Sequence, residues 1–117
     1  MKNSPIYDKS KSFAIAIVQL TDELFARRIY SLSDQLLRSG TSIGANIRES
    51  YRAQSIPDFI SKMNIALKES EETAYWLELL YETNKIDKNT YETHIAILDE
   101  IIKMLVSIIN TTKQNKQ

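Results

Sequence analysis

The chain has 117 residues, and its 15 basic and 15 acidic side chains give a formal net charge of zero at pH 7. A neutral chain has no overall positive field, which excludes the long-range attraction that draws strongly basic proteins onto nucleic acid. The absence of cysteine excludes disulfides, thiolate metal sites and a cysteine nucleophile, and it suits a reducing cytoplasm. Two glycines, two prolines and little strand-like alternation predict one all-helical domain over residues 1–117.

The first predicted helix covers about residues 8–32, after a polar lead that contains Pro5. Two adjacent apolar rows run along it, as expected for a helix that touches more than one neighbour. The rows are Phe13, Ile17, Leu20 and Leu24, and beside them Ala14, Val18 and Phe25. The apolar run Phe13–Val18 is too short to cross a bilayer and lacks the flanks of a signal peptide. We therefore expect a soluble, cytoplasmic protein with no membrane partner.

The second predicted helix covers about residues 34–54, with Ser33-Asp34 as the break before it. Small side chains are concentrated in one stretch of it, and they are Ser39, Gly40, Ser42, Gly44 and Ala45. The apolar phase continues across Gly40, which favours one helix over a short helix that ends at this glycine. A glycine inside a helix costs about 1 kcal/mol relative to alanine. Two of them therefore predict a close helix contact or a functional role.

The third predicted helix covers about residues 57–83, and it begins where Pro57 suits a first helical turn. The middle of its core-facing seam consists of the small side chains Ala66, Ser70 and Thr73. We expect them to pack against the small side chains of the second helix. The seam residues are Phe59, Met63, Ala66, Ser70, Thr73, Leu77 and Leu80.

A turn at Asn84–Asn89 leads to the fourth predicted helix, about residues 88–112. Its seam is Tyr91, Ile95, Leu98, Ile102, Leu105 and Ile109. Short connections make consecutive helices antiparallel neighbours, so the predicted fold is an all-α, up-down-up-down four-helix bundle.

The fourth helix is apolar over a wider arc than a monomeric bundle needs. A second row adjoins its seam, and an exposed apolar patch of this kind predicts self-association. Trp76 on the third helix fits either the core or a subunit interface. The predicted interface residues of a homo-oligomer are Trp76, Ile101, Met104 and Ile108.

No pattern in the sequence predicts catalysis, a metal site or a cofactor. His94 is the only histidine, and a lone histidine on an amphipathic helix is most often a surface or boundary residue. Di-metal bundles carry Glu-x-x-His motifs on two helices, and this sequence has none. Serines are abundant, but no base and oxyanion donors accompany them. We expect a protein that is not an enzyme and that holds no cofactor.

Four polar residues share helix faces in pairs, Asn46 with Glu49 and Glu71 with Tyr75. The favoured interpretation is a half-buried hydrogen-bond network that sets the register of the second and third helices, because polar groups at an interface must be paired. The alternative is a ligand cleft between these helices, with the same four residues forming an enzyme site.

Charge is unevenly distributed along the chain. Five arginines and two acids lie between residues 27 and 52, whereas seven acids and three lysines lie between residues 58 and 87. Mutual pairing of the basic second helix and the acidic third helix is the simpler interpretation. The alternative is contact with RNA or DNA through the arginines, which are Arg27, Arg28, Arg38, Arg48 and Arg52.

Two motifs together resemble a known bacterial family. The segments SGTSIGANIRES (39–50) and KESEETAYWLELL (68–80) are similar to those of the four-helix proteins encoded within intervening sequences of 23S rRNA genes, often termed S23 proteins. A related branch is the accessory variability determinant of diversity-generating retroelements. The resemblance covers about residues 13–109, and its specific positions are Ser39, Ser42, Ile43, Asn46, Ile47, Glu49, Glu71, Tyr75, Trp76 and Leu77.

This resemblance implies an antiparallel four-helix bundle that assembles into a ring-like homopentamer. It also implies, for the accessory branch, association with a reverse transcriptase and with nucleic acid through a basic surface. The leading hypothesis is a non-enzymatic, homo-oligomeric scaffold, with a pentamer as the expected state and an unidentified protein as a further partner. The alternative is an RNA- or DNA-binding accessory protein that uses the arginine-bearing surface of the first two helices.

Overall fold

The computed structural model describes residues 4–115, which form four helices. They are α1 (Pro5–Ala26), α2 (Ser31–Ser50), α3 (Ile56–Glu82) and α4 (Lys88–Asn115). Each helix packs against the next one in the chain, and α4 returns to pack against α1. The Cα atoms of the diagonal pairs, α1 with α3 and α2 with α4, do not come within 8 Å of each other in the described range. The predicted all-α four-helix bundle is confirmed.

Neighbouring helices run in opposite directions, because along each contact the residue numbers rise on one helix and fall on the other. The pairs that establish this are Ser10 with Gly44, Ile17 with Gly40, Glu49 with Lys62, Ser39 with Thr73, Lys9 with Glu100, and Arg27 with Lys85. As a result, α1 and α3 run in the same direction at opposite corners of the bundle.

Serine caps and prolines begin two of the helices. Ser4 accepts a hydrogen bond from the Tyr7 backbone, and Pro5 occupies the first turn of α1. This cap starts α1 three residues before the predicted residue 8, so the predicted polar lead is partly helical; its residues 1–3 lie outside the described range. Ser55 accepts from the Asp58 backbone at 3.1 Å and begins α3 in the same way.

The end of α1 differs from the predicted end at residue 32. Arg28 has a positive φ of 64°, its N–H donates to Phe25, and the N–H of Ile29 donates to Leu24. These two bonds are a Schellman motif, which stops a helix with one left-handed residue. The predicted break at Ser33-Asp34 is therefore wrong, and Ser33 is buried in the first turn of α2. The sequence does not predict this helix end, because Arg28 occupies the left-handed position that is usually glycine.

The other helix ends lie closer to their predicted positions. The α2 helix ends at Ser50, four residues before the predicted end, and a short turn leads to Ser55. The α3 helix ends one residue before the predicted residue 83, with Asn84 at a φ of 61°. At the start of α4, Asp87 accepts from the Thr90 backbone at 2.7 Å, and this bond lowers the pKa of its carboxyl.

The core is a single apolar cluster along the axis of the bundle. The buried stripe of α3 follows the predicted seam, with Phe59 half-buried at its beginning. On α4 the stripe is Leu98, Ile101, Leu105 and Ile109, so Ile101 occupies the core position predicted for Ile102. The other three buried residues are on the predicted seam, so the stripe differs from it at this one position, where α4 packs against both α1 and α3. Ile101 has no exposed surface and is therefore wrong as a predicted interface residue.

At Gly40 the Ile17 side chain of α1 packs directly on the backbone of α2. A Cβ added there would lie 2.9 Å from Cγ2 and 3.3 Å from Cβ of Ile17, which is itself fully buried. At Gly44 an added Cβ would meet the Ser10 hydroxyl at 3.4 Å, an ordinary contact distance. The close contact predicted from the small residues therefore depends on Gly40, whereas Gly44 has room for a methyl group.

We predict opposite effects for alanine at the two glycines. Gly40→Ala should lower the free energy of unfolding by about 1–3 kcal/mol, because the stiff, buried Ile17 side chain cannot move away. Gly44→Ala is the matched control and should be neutral or stabilising by up to about 1 kcal/mol, since alanine is the better helix former. Urea unfolding followed by far-UV circular dichroism measures both. Equal effects at the two positions would contradict this account of the packing.

Candidate functional site

Buried hydroxyl groups line the contact between α2 and α3. Thr73 Oγ1 donates to Ser39 Oγ at 2.9 Å, and both side chains are fully buried. Ser70, one turn away, donates to the Ala66 carbonyl at 2.8 Å. These short side chains bring the backbones of the two helices close together, as the small centres of both seams predict.

The predicted polar network does not form within one chain. Asn46 donates to the Ser42 carbonyl of its own helix at 2.8 Å, and Glu49 lies 3.5 Å from Lys62 of α3. Glu71 and Tyr75 are exposed on the outward face of α3. Within residues 4–115 no hydrogen bond joins any of these four side chains to another.

The orientation of α3 explains this correction. Ser70, Thr73 and Leu77 face the core, which turns Glu71 and Tyr75 towards the outside of the bundle. Asn46 and Glu49 lie on the neighbouring helix, so the two pairs do not line a common cleft. The enzyme-site alternative, which needs such a cleft, loses its structural basis.

Arg38 joins α2 to two carboxylates of α3. Its Nη1 lies 3.4 Å from Glu69 Oε2, and its Nη2 pairs with Glu72 Oε1. This pairing supports the simpler interpretation of the uneven charge for one of the five arginines. Burial raises the pKa of Glu69, and the nearby Glu72 carboxylate raises it further, while Arg38 acts in the opposite direction.

The other arginines lie in different surroundings. Arg27 donates to the Lys85 carbonyl at 2.8 Å and ties the α1–α2 link to the α3–α4 turn. Arg48 and Arg52 line an open groove of about 400 Å³ at the end of α2. Within residues 4–115 no carboxylate lies within 4 Å of Arg28, Arg48 or Arg52. The five arginines therefore do not form one continuous surface.

The remaining predicted interface residues are half-buried. Met104 and Ile108 line an apolar groove of about 560 Å³ at the end of the bundle where α1 and α3 begin. Trp76 packs edge-on against Tyr75, with ring centroids 5.2 Å apart. Its indole Nε1 is buried and has no hydrogen-bond partner among the described residues.

Large apolar side chains on the outward faces of α1 and α3 were not among the predicted interface residues. Ile15 is 51% exposed and Val18 is 40% exposed on α1. Tyr75 is 53% exposed and Ile65 is 39% exposed on α3. Ile15 lies outside both apolar rows predicted for its helix, and an apolar residue off the core stripe is the signal that could have identified this surface.

Few of the described residues offer metal or acid–base chemistry. No group of three or more histidine, aspartate or glutamate side chains within residues 4–115 is arranged to hold a metal ion. The His94 ring Nδ1 lies 2.7 Å from the Thr90 carbonyl one turn earlier, in keeping with a boundary residue. None of the helices within residues 4–115 combines the length and apolar character needed to cross a membrane.

We predict that neutralising Glu69 removes a pH dependence of stability. A carboxyl whose pKa is higher in the folded state binds its proton more tightly there, so it stabilises the fold below the unfolded pKa and this stability is lost as pH rises through the folded pKa. Glu69→Gln should therefore have a higher free energy of unfolding than the wild type at pH 7, and the difference should disappear at pH 4. Thermal unfolding as a function of pH measures it.

The control is Glu92→Gln, which removes an exposed carboxylate of α4. Its unfolding profile should follow the wild type from pH 4 to pH 7. A Glu69→Gln variant that is less stable than the wild type at pH 7 would show that the Arg38 pairing outweighs the cost of burying the charge.

Comparisons with known proteins agree with the architecture. The family described as 23S rRNA-intervening sequence protein matches residues 2–107. A solved structure of a protein of unknown function from the S23 ribosomal protein family of Bacteroides thetaiotaomicron VPI-5482 is also similar. It is 53% identical in sequence, and the match covers 89% of this chain and 97% of that chain with a TM-score of 0.88.

Among curated proteins, none matches the chain. The family model covers most of the chain, and the solved relative shares both its fold and half of its residues. The resemblance noted from the two sequence motifs is confirmed. The chain belongs to the 23S rRNA-intervening sequence protein family.

Proposed function

We propose that the protein is a non-enzymatic scaffold that acts as a homo-oligomer. The observation that carries this proposal is the exposure of large apolar side chains on two opposite helices. Ile15 and Tyr75 are each more than half exposed, although both would gain free energy from burial. The proposed partner is a second copy of the chain, because each copy carries the same exposed apolar side chains and can bury those of its neighbour.

The number of copies follows from the family resemblance, which implies five. Cyclic assemblies of more than two copies use two different patches on each protomer, and separate apolar patches on α1 and α3 fit that requirement. We expect the assembly to act in the cytoplasm, the compartment predicted from the cysteine-free sequence. A scaffold of this kind needs no catalytic residue, because its function is to bind a partner protein through a rigid surface that is repeated in every copy.

A second candidate function is binding of RNA or DNA. The observation that favours it is the pair Arg48 and Arg52, which have no carboxylate within 4 Å among the described residues. They line one groove together with Ala45 and with Glu49, whose carboxylate lies 3.5 Å from Lys62. An oligomer repeats this groove once per copy, so weak individual contacts add up on a single polyanion.

Assembly is tested by light-scattering mass measured in line with size exclusion. The wild type should give about five times the 13.5 kDa of one chain, and the mass should stay constant over a range of micromolar concentrations. Absorbance at 260 and 280 nm on the same peak reports any nucleic acid carried with the protein. A mass of one chain at every concentration would contradict the scaffold proposal.

Nucleic-acid binding is tested by mobility shift of a structured RNA at about 50 mM salt and above. Arg48→Glu with Arg52→Glu should weaken the shift at every salt concentration, and it should reduce the salt dependence of the binding constant by about two counterions per engaged copy. Lys88→Glu with Lys113→Glu makes the same change of net charge on α4 and serves as the control. If the wild type fails to bind at low salt, the second candidate function is wrong.

A further inference from the structure

Two outward-facing stripes on α1 and α3 have the same spacing. The α1 stripe is Asp8, Lys11 and Ile15, and the α3 stripe is Lys68, Glu71 and Tyr75. In both stripes the residues stand at positions i, i+3 and i+7, which places them on one face of a helix. All six side chains are exposed, and each stripe lies on the side of its helix opposite the core.

The two stripes are complementary position by position. The acid Asp8 corresponds to the base Lys68, and the base Lys11 corresponds to the acid Glu71. The third position is apolar in both stripes, with Ile15 51% exposed and Tyr75 53% exposed. Within residues 4–115, no group of opposite charge lies within 4 Å of any of the four charged side chains. The charges are therefore free to pair outside the chain.

The direction of the helices decides which pairing is available. The helices α1 and α3 are at opposite corners of the bundle, and their stripes face outward on opposite sides. The two stripes of one chain therefore cannot meet. They run in the same direction, so the α1 stripe of one copy can lie parallel to the α3 stripe of another in matching order. Alternating steps of three and four residues are also the spacing at which parallel helices contact one another repeatedly.

We propose that copies of this chain join head to tail, with the α1 stripe of one copy against the α3 stripe of the next. In each junction Asp8 pairs with Lys68, Lys11 pairs with Glu71, and Ile15 packs on Tyr75. This inference rests on the proposed function, since it names the contact by which the homo-oligomer forms. The surface it uses does not include Arg48 and Arg52, which leaves their groove open to solvent in the assembly.

A junction of this kind uses two different patches of every copy. Repetition of one such contact gives a closed ring where the rotation between neighbours closes, and an open filament where it does not. The paired charges set the order and direction of the helices, because a contact in the opposite direction places Asp8 beside Tyr75 and leaves charges unpaired. The apolar pair at the third position supplies the area removed from water.

Charge reversal tests the junction. Lys11→Glu places two acids opposite each other, and Glu71→Lys places two bases opposite each other, so each single variant should raise the dissociation constant of the assembly by about tenfold or more. The double variant Lys11→Glu with Glu71→Lys restores opposite charges and should restore the wild-type mass. Matched controls on exposed positions of α4 are Lys88→Glu and Glu92→Lys, which should leave the mass unchanged.

The readout is light-scattering mass over a concentration series, with circular dichroism to verify that every variant is folded. Restoration by the double variant supports the head-to-tail junction. If the wild type assembles and the single variants assemble equally well, the α1–α3 junction is wrong and the scaffold proposal stands. If only Lys11→Glu dissociates and the double variant stays dissociated, Lys11 contacts a surface other than Glu71 and the inference is overturned. A monomeric wild type overturns both proposals.

Discussion

The close approach of α1 and α2 at Gly40 is the constraint on which the rest of the bundle depends. Ile17 fills the space that a side chain at position 40 would need, so its side chain packs directly on the α2 backbone at this level. The opposite side of α2 meets α3 through the short hydroxyl side chains of Ser39 and Thr73. With small residues on both of its contact faces, α2 holds both neighbours close, and the larger apolar residues of the other helices complete the core.

The core stripes also define which residues remain on the surface. Ile15 and Tyr75 stand on the sides of their helices opposite these stripes, and both are therefore exposed although they are apolar. Arg38 remains half exposed and pairs with Glu69 and Glu72 at the edge of the α2–α3 contact. The two functional proposals use separate parts of the remaining surface. Self-association uses the outward faces of α1 and α3, whereas nucleic-acid binding uses the end of α2.

The sequence predicts the fold class and the family correctly because both depend on features that recur along whole helices. The seam of α3 and the turn at Asn84 are examples, since a periodic stripe and a left-handed asparagine each have a direct physical signal. The end of α1 has no such signal, because Arg28 adopts the left-handed conformation that glycine usually supplies. The four-residue network fails for another reason: spacing along a helix does not define which face the neighbouring helices cover.

The sequence by itself determined that the chain forms four amphipathic helices without disulfides, a net charge or a metal motif, because these properties depend on composition and local spacing. Only the tertiary structure decided which of two adjacent residues is buried, as with Ile101 and Ile102, and which of the arginines are paired. It also decided that Asp8, Lys11 and Ile15 face away from Lys68, Glu71 and Tyr75 on helices of the same direction. The physical reason is that helix rotation is set by packing against two neighbours at once, and a single helical period does not contain that information.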